Sequence, residues 1–191
     1  MSFRTVFLDQ AGVADPIGMA LRDYAMAYAF PVMAASVSRP AAAPALGIGA
    51  GSCNAAALVD PSRCADPELA IRRCQPFSLR DPASGEVRQL GLVFGNSRLF
   101  TGLDQIPLSD PSLQRRTVTA RTPSRSGDYE EHAEQVAIRT AEARQLPFWR
   151  DENGECHIFC TLAACDRCAA WMTRRQERWV YHVGPFSANW R

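Results

Sequence analysis

Two short motifs, far apart in the chain, have to meet in space if they are to serve one site. The first is His132-Ala133-Glu134, and the second is Cys165-Asp166-Arg167-Cys168. Imidazole nitrogen and thiolate sulfur are ligands that zinc prefers, so His132, Cys165 and Cys168 supply three ligands for one ion. Glu134 is then a carboxylate that the metal does not need. A fold of this chain that builds the site must bring residue 132 against residues 165–168.

The composition predicts a single globular unit. With 191 residues, of which 47% are hydrophobic, the chain is long enough for one well-filled domain and too short for two catalytic domains. We divide it into an N-terminal helical or irregular segment, 1–82, that packs on a core, 83–191, which carries both motifs. The net charge of +1 gives no strong basic field for nucleic acid, although a local cleft can still be positive.

Cysteine usage and the N-terminus predict where the protein works. Seven cysteines, an odd number, argue against a secreted disulfide framework and favour a reducing compartment with thiolates free for zinc. The N-terminus lacks the apolar core and cleavage site of a signal peptide. The most apolar early run, 17–37, is interrupted by Arg22, Asp23 and Pro31, so we expect no membrane-spanning segment and no membrane partner. The expected location is the cytoplasm.

The first half of the chain has weak structural signals. We predict a short strand over residues 4–8 and a helix over 16–30, with Asp15 as the N-cap. The Ala-, Pro- and Gly-rich stretch 39–58 predicts a flexible connection, because its glycines are not followed by the Lys-Ser/Thr pair of a phosphate-binding loop. One or two helical turns follow over 67–74.

The second half has clearer signals. Residues 86–94 and 98–102, separated by Gly95-Asn96-Ser97, predict a β-hairpin. The polar stretch 104–127 predicts a long loop that leads towards His132. The remaining elements are a helix over 128–146, a strand over 156–162, a helix over 166–175 and a strand over 179–183. This order places helices against a mixed sheet, which is an α/β layered fold.

The motifs therefore fall at helix starts, and their residue types indicate hydrolysis. The positive ends of both helix dipoles point at the thiolates and stabilise them. Zinc with three protein ligands keeps one position open, and water bound there has a pKa of about 7 instead of about 15.7. Glu134 is placed to take the water proton and return it to a ring nitrogen and a leaving amine. An alternative is a structural zinc site, whose fourth ligand would come from Cys156, His157 or Cys160 and which leaves Glu134 without a task.

The stretch Cys160–Met172 and the following Arg178–Gly184 resemble the cytidine deaminase-like superfamily of zinc-dependent nucleobase deaminases, whose signature is His-x-Glu followed by Pro-Cys-x-x-Cys. The pattern is most similar to the branches that act on polynucleotides, namely tRNA adenosine deaminases and bacterial toxin-type cytosine deaminases. The resemblance covers about residues 129–184 and extends to the hairpin from residue 86. It implies a three-layer α/β/α fold, zinc on His132, Cys165 and Cys168, and proton transfer by Glu134.

Three departures from the family pattern make this chain a divergent member. Ala164 replaces the proline before the first cysteine, which makes the turn less rigid, and Ala163 replaces an acidic residue common in the tRNA branch. Only residues 185–191 follow the last predicted strand, so the C-terminus is truncated and the family's fifth strand is absent. We expect the divergent N-terminal segment to fill that space, with residues 4–8 or with the helix at 16–30.

The resemblance implies conversion of cytosine to uracil in nucleic acid, with DNA as the expected polymer. It also implies an immunity or inhibitor protein as a further partner, as for a toxin delivered into a target cell. The alternatives are deamination of a free base, nucleoside or nucleotide, or of adenosine in tRNA, and a binding module with structural zinc. Candidate substrate contacts are residues beside the motifs, aromatic side chains for stacking and loop arginines for phosphates: Asn96, Tyr129, Ala133, Phe148, Trp149, Ala163, Ala164, Trp171, Arg115, Arg116, Arg121 and Arg125.

Overall fold

The computed structural model describes residues 3–8, 15–26, 54–81, 84–96 and 132–184. The elements follow in the order β1 Phe3–Phe7, α1 Pro16–Tyr24, β2 Asn54–Val59, a 3-10 turn Pro61–Arg63, α2 Pro67–Ile71, β3 Gln75–Arg80, β4 Val87–Asn96, α3 Ala133–Ala143, β5 Glu155–Cys160, α4 Asp166–Thr173 and β6 Arg178–Val183. The fold is α/β, as the sequence predicts.

One mixed sheet of six strands, in the order β1-β6-β5-β2-β4-β3, runs through the described residues. Strands β1, β6 and β5 are parallel to one another, whereas β2 is antiparallel to its neighbours β5 and β4, and β3 is antiparallel to β4. Three of the strands come from the segment before residue 83 and pair directly with strands that follow it. The division of the chain at residue 82 stays a prediction.

Helices cover both faces of the sheet. Because alternate strand residues point to opposite faces, the strands contribute to two separate buried clusters. Ile17 and Leu21 of α1 belong to one cluster, and Ile138 of α3 and Met172 of α4 belong to the other. The result is three layers with the sheet in the middle. None of the described helices is long and apolar enough to cross a bilayer.

The centre of the sheet is an alanine-rich strand that the sequence analysis assigned wrongly. Residues 54–58 were expected to belong to a flexible connection, but all six residues of β2 are buried between β4 and β5. Ala55 and Ala57 belong to the buried cluster on the α3 face, and Ala56 belongs to the cluster on the α1 face. Burial therefore outweighs the weak strand propensity of alanine. The rest of the stretch 39–53 lies outside the described residues.

The first strand of the predicted hairpin pairs with two strands that the sequence did not indicate. β4 pairs with β3, the strand that precedes it in the chain, and on its other side it pairs with β2. Between β3 and β4, Gly85 has a φ of 73°, which glycine adopts readily, and its N–H donates to the carbonyl oxygen of Asp81 at 2.8 Å. β4 also continues to Asn96, through the predicted turn. Residues 98–102 and 104–127 lie outside the described residues.

The N-terminal strand confirms one expectation from the resemblance. β1 pairs in parallel with β6, with Thr5 opposite Tyr181, so residues from the start of the chain extend the sheet beyond β6. α1 begins at Pro16, and the Asp15 carboxylate accepts the N–H of Gly18 at 3.0 Å, as expected for an N-cap. The predicted helix beyond residue 26 lies outside the described residues.

A buried chain of polar side chains ties α1 to the sheet. The Asp15 carboxylate lies 2.6 Å from Nδ1 of His182, and Nε2 of His182 lies 2.9 Å from Nδ1 of His157. On the far side, Nε2 of His157 lies 3.3 Å from a carboxylate oxygen of Asp151. Burial and the neighbouring His182 lower the pKa of His157 from 6.5 to about 4, against the opposing effect of Asp151.

We expect the free energy of unfolding to fall as the pH drops from 6.5 towards about 4. The unfolded chain protonates His157 in this range whereas the folded protein keeps it neutral, so acid favours unfolding with a slope of at most about 1.4 kcal/mol per pH unit. Urea denaturation of the wild-type and His157→Gln proteins across this range measures the slope, which should be shallower in the variant. Equal slopes in the two proteins would contradict the assignment to His157.

Candidate metal centre

The first half of the site is the start of α3. His132 is the N-cap residue, and its backbone N–H donates to the side-chain oxygen of Gln135 at 3.1 Å, which fixes how the chain enters the helix. The first turn lies directly on β4, because a Cβ atom at Gly95 would lie 2.1 Å from the carbonyl oxygen of Ala133. Only glycine permits this approach. The turn that carries His132 and Glu134 is thereby seated on the sheet.

The second half of the site is the loop between β5 and α4. The N–H of Thr161 donates to the carbonyl oxygen of Asn54 at 3.0 Å, and the hydroxyl of Thr161 accepts the N–H of Asn54 at 2.9 Å. Cys165 is the N-cap of α4, and Cys168 lies in its first turn. Because β2 holds the start of the loop, both cysteines are delivered to the same end of the sheet as His132.

The three candidate ligands meet as the sequence predicts. The Sγ atoms of Cys165 and Cys168 lie 3.3 and 3.2 Å from Nδ1 of His132, and all three atoms lie within 4.8 Å of one another. In a tetrahedral zinc site, bonds of about 2.0 Å to nitrogen and about 2.3 Å to sulfur give N–S separations of about 3.5 Å. This triad therefore has the composition and spacing to hold a metal ion such as zinc.

The triad runs from the interior to the surface. Cys168 is buried, His132 is half-buried and Cys165 is exposed. Burial, and then the negative charges of Glu134 and Cys165, raise the pKa of Cys168 far above its ordinary value. A bound cation reverses this balance, because the thiolate is the form of cysteine that binds metal. Binding of a metal ion here is therefore coupled to the release of protons.

Glu134 lies beside the triad, and its two carboxylate oxygens have different surroundings. It is only 2% exposed, and its Oε1 accepts a hydrogen bond from the hydroxyl of Tyr181 at 2.7 Å. The same hydroxyl lies 2.8 Å from the carbonyl oxygen of Leu162, in the loop before Cys165. Within the described part of the chain, Oε2 accepts no hydrogen bond. A buried oxygen in this condition is costly unless a ligand or water satisfies it.

The donor set fits a metal site with an open position. Structural zinc sites use four protein ligands. Among the residues that the structure describes, no fourth His, Cys, Asp or Glu joins the triad. Cys156 and Cys160 are buried within β5 outside this group, and Nδ1 of His157 contacts His182 instead. The candidates for a fourth ligand that the sequence offered are therefore not brought to the site.

The small residues predicted to contact a substrate adjoin the triad in the chain. Ala133 follows His132 and is buried, while Ala163 and Ala164 precede Cys165 and are exposed and half-buried respectively. Asn96 ends β4 immediately after Gly95, on which α3 rests. Tyr129 and the four loop arginines, Arg115, Arg116, Arg121 and Arg125, lie outside the described residues.

The aromatic residues predicted for stacking are used in packing. Trp149 belongs to the buried cluster on the α1 face, and its ring centre lies 5.4 Å from that of His157. It is on the opposite side of the sheet from α3, so the structure does not bring it to the triad. Trp171 is half-buried, with the guanidinium groups of Arg175 and Arg139 at 4.9 and 5.9 Å from its ring centre. Phe148 packs edge-on against Trp179.

Three residues that shape the site were missed by the sequence analysis. Gln135 follows the N-cap at the third position, a spacing typical of a capping box, and so could have been found locally. Tyr181 lies on the same face of β6 as Trp179 and Val183, because residues two apart in a strand share a face. This spacing indicates its face but not its contact with Glu134. Gly95 was assigned to a turn, and only the tertiary contact with Ala133 reveals its function.

A separate surface pocket of about 580 Å³ lies at the far end of α3 and includes Arg63, Arg73 and Arg144. The guanidinium groups of Arg73 and Arg144 each donate to the backbone carbonyl oxygen of the other residue. These arginines therefore join the segment after α2 to the end of α3. The pocket is separated from the triad by the length of that helix.

Comparisons of the chain with models of known protein families, with curated protein sequences and with solved protein structures found no match. Function therefore has to be inferred from the geometry of the site.

We expect the purified protein to bind one zinc ion per chain and the Cys168→Ala variant to bind zinc at least about 100-fold more weakly, since even residues behind the ligands change metal affinity by 10- to 100-fold. Competition with a chromophoric chelator measures the affinity. The matched control is Cys156→Ala, which also removes a buried thiol but lies in β5 outside the triad. Equal zinc affinity in Cys168→Ala and wild type would rule out the site.

Proposed function

We propose that this protein is a zinc-dependent hydrolase that removes the amino group of a nucleobase, with cytosine in nucleic acid as the substrate. The observation that carries the proposal is the state of Glu134. Its carboxylate is buried beside three metal-ligand atoms, with Oε1 held by Tyr181 and Oε2 without a hydrogen bond from the described residues. A structural metal site has no use for this carboxylate, whereas a hydrolytic site needs a general base beside the metal.

In the proposed reaction the triad holds the metal and Glu134 transfers the proton. His132, Cys165 and Cys168 would hold the zinc ion, which would supply a Lewis acid and lower the pKa of a bound water to about 7. Glu134 takes one proton from the attacking water at Oε2 and passes it to the ring nitrogen of the base. A C–O bond forms as the C–N bond breaks, and the remaining water proton leaves with the amine as ammonia. Glu134 therefore serves in turn as base and acid.

The choice of cytosine within DNA is supported by the resemblance of the two motifs to toxin-type polynucleotide deaminases. A base must leave the duplex stack, or be single-stranded, to reach such a centre. The stretch 104–127, which precedes His132, carries Arg115, Arg116, Arg121 and Arg125 as candidate phosphate contacts. An immunity or inhibitor protein is proposed as a partner on the same resemblance. The cytoplasm is proposed as the place of action because the odd number of cysteines fits a reducing compartment.

We expect Glu134→Gln to abolish ammonia release while the protein still binds one zinc ion, because the amide keeps the shape of the carboxylate but cannot accept and return a proton. Proton transfer of this kind is worth about 10²- to 10⁴-fold in rate. The measurement is ammonia release together with metal analysis. Glu142→Gln, on the exposed side of the same helix, is the matched control and should retain activity. Full activity in Glu134→Gln would end the proposed mechanism.

A second candidate, deamination of a free base, nucleoside or nucleotide, is favoured by the net charge of +1. The two candidates differ in their response to salt, because binding to a polynucleotide releases counterions. If two or three phosphates are contacted, kcat/KM on a single-stranded oligonucleotide should fall about tenfold between about 50 and about 200 mM salt. Parallel assays on oligonucleotides, cytidine and dCMP decide between them. A rate that is highest on cytidine or dCMP and insensitive to salt would favour the second candidate.

A further inference from the structure

We propose that Tyr181 is a positioning residue for Glu134, which deepens and rests on the function proposed above. The Tyr181 hydroxyl lies 2.7 Å from Oε1 of Glu134 and 2.8 Å from the carbonyl oxygen of Leu162. Glu134 belongs to the first turn of α3, and Leu162 belongs to the loop that leads to Cys165. The hydroxyl has one proton, which these two acceptor oxygens share. One group on β6 therefore contacts both chain segments that supply the ligands.

The hydroxyl is held by a rigid part of the fold. Tyr181 is fully buried, and it lies in a strand that is paired on both sides, with Ile158 of β5 and Thr5 of β1 as its direct neighbours. The ring of Phe3, also in β1, packs edge-on at 5.6 Å from the ring of Tyr181. The sheet therefore fixes the ring, and the ring fixes the oxygen that contacts Glu134.

This contact makes the two oxygens of Glu134 unequal. The last torsion of a glutamate side chain is broad, so a carboxylate without a partner can rotate and exchange its oxygens. The hydrogen bond to Oε1 opposes that rotation and leaves Oε2 as the oxygen without a partner among the described residues. Tyr181 thus assigns proton transfer to Oε2 by holding Oε1.

The test is Tyr181→Phe, which removes the hydroxyl but keeps the ring, its contact with Phe3 and the packing of the sheet. We expect kcat to fall about 10- to 100-fold, since misplacement of a reacting group by about 1 Å can cost 10²-fold. KM and the zinc content should stay unchanged, because neither substrate nor metal contacts this hydroxyl. A merely structural role would instead lower zinc content and stability along with activity. That outcome, or an unchanged kcat, would overturn the proposal.

The matched control is Tyr24→Phe in α1. The hydroxyl of Tyr24 donates to the carbonyl oxygen of Pro76 at 3.1 Å and accepts from the side-chain amide of Gln75 at 2.6 Å, so this variant also loses two hydrogen-bond contacts. Tyr24 packs on the opposite face of the sheet from α3. Its loss should leave kcat unchanged, and an equal fall in both variants would count against a specific function of Tyr181.

A second measurement separates this inference from the proposed function. Crystal structures of the zinc-loaded wild-type and Tyr181→Phe proteins report the position of the Glu134 carboxylate directly. We expect that carboxylate to rotate in the variant, and an unmoved carboxylate would overturn the inference even if activity fell. If the wild-type protein deaminates no substrate, the proposed function fails and the carboxylate position alone decides on Tyr181. If Tyr181→Phe does not fold, Phe3→Leu, which loosens the ring, should produce a smaller fall in kcat, and an unchanged kcat there would overturn the inference.

Discussion

The close contact between α3 and β4 is the constraint on which the metal centre depends. With no side chain at Gly95, the backbone of the first turn of α3 rests on the strand, where a Cβ atom would lie 2.1 Å from the carbonyl oxygen of Ala133. The turn that carries His132 and Glu134 is therefore fixed by backbone contact instead of by adaptable side chains. Thr161 does the same for the other half of the site by binding β2 through two hydrogen bonds. Both ligand-bearing segments are therefore held in place by the same sheet.

The parts of the fold that could be predicted from the sequence are those with a local signal. Asp15 and Pro16 mark the start of α1, and the apolar runs of β5 and β6 flank a helix that begins at a cysteine motif. The strand β2 has no such signal, because its alanines have little preference for strands and become buried only when the whole sheet has formed and both of its faces are covered. The partner of β4 was missed for a related reason, since strand pairing depends on the whole sheet and not on the nearest turn.

The candidate site shows the same division between local and long-range information. The spacing of His132, Cys165 and Cys168 was enough to predict that they would meet, because metal ligands constrain one another chemically. Trp149 was expected at the site for its ring and its place in the chain, but the sheet directs it to the opposite face. Conversely, no local pattern connects Tyr181 to Glu134. That contact exists only because the folded sheet brings the end of the Tyr181 side chain to the first turn of α3.

The pairing of β1 with β6 has a consequence for how the protein is made. Phe3 lies opposite Trp179, so one edge of the sheet joins two strands that are far apart in the sequence. Contacts of such high sequence separation form late, because the loop between them must be closed first. A nascent chain on the ribosome therefore holds β1 without a partner until β6 has emerged. The strand that supports Tyr181 through Phe3 therefore takes its place only after both ligand-bearing segments, which precede β6 in the chain, have been made.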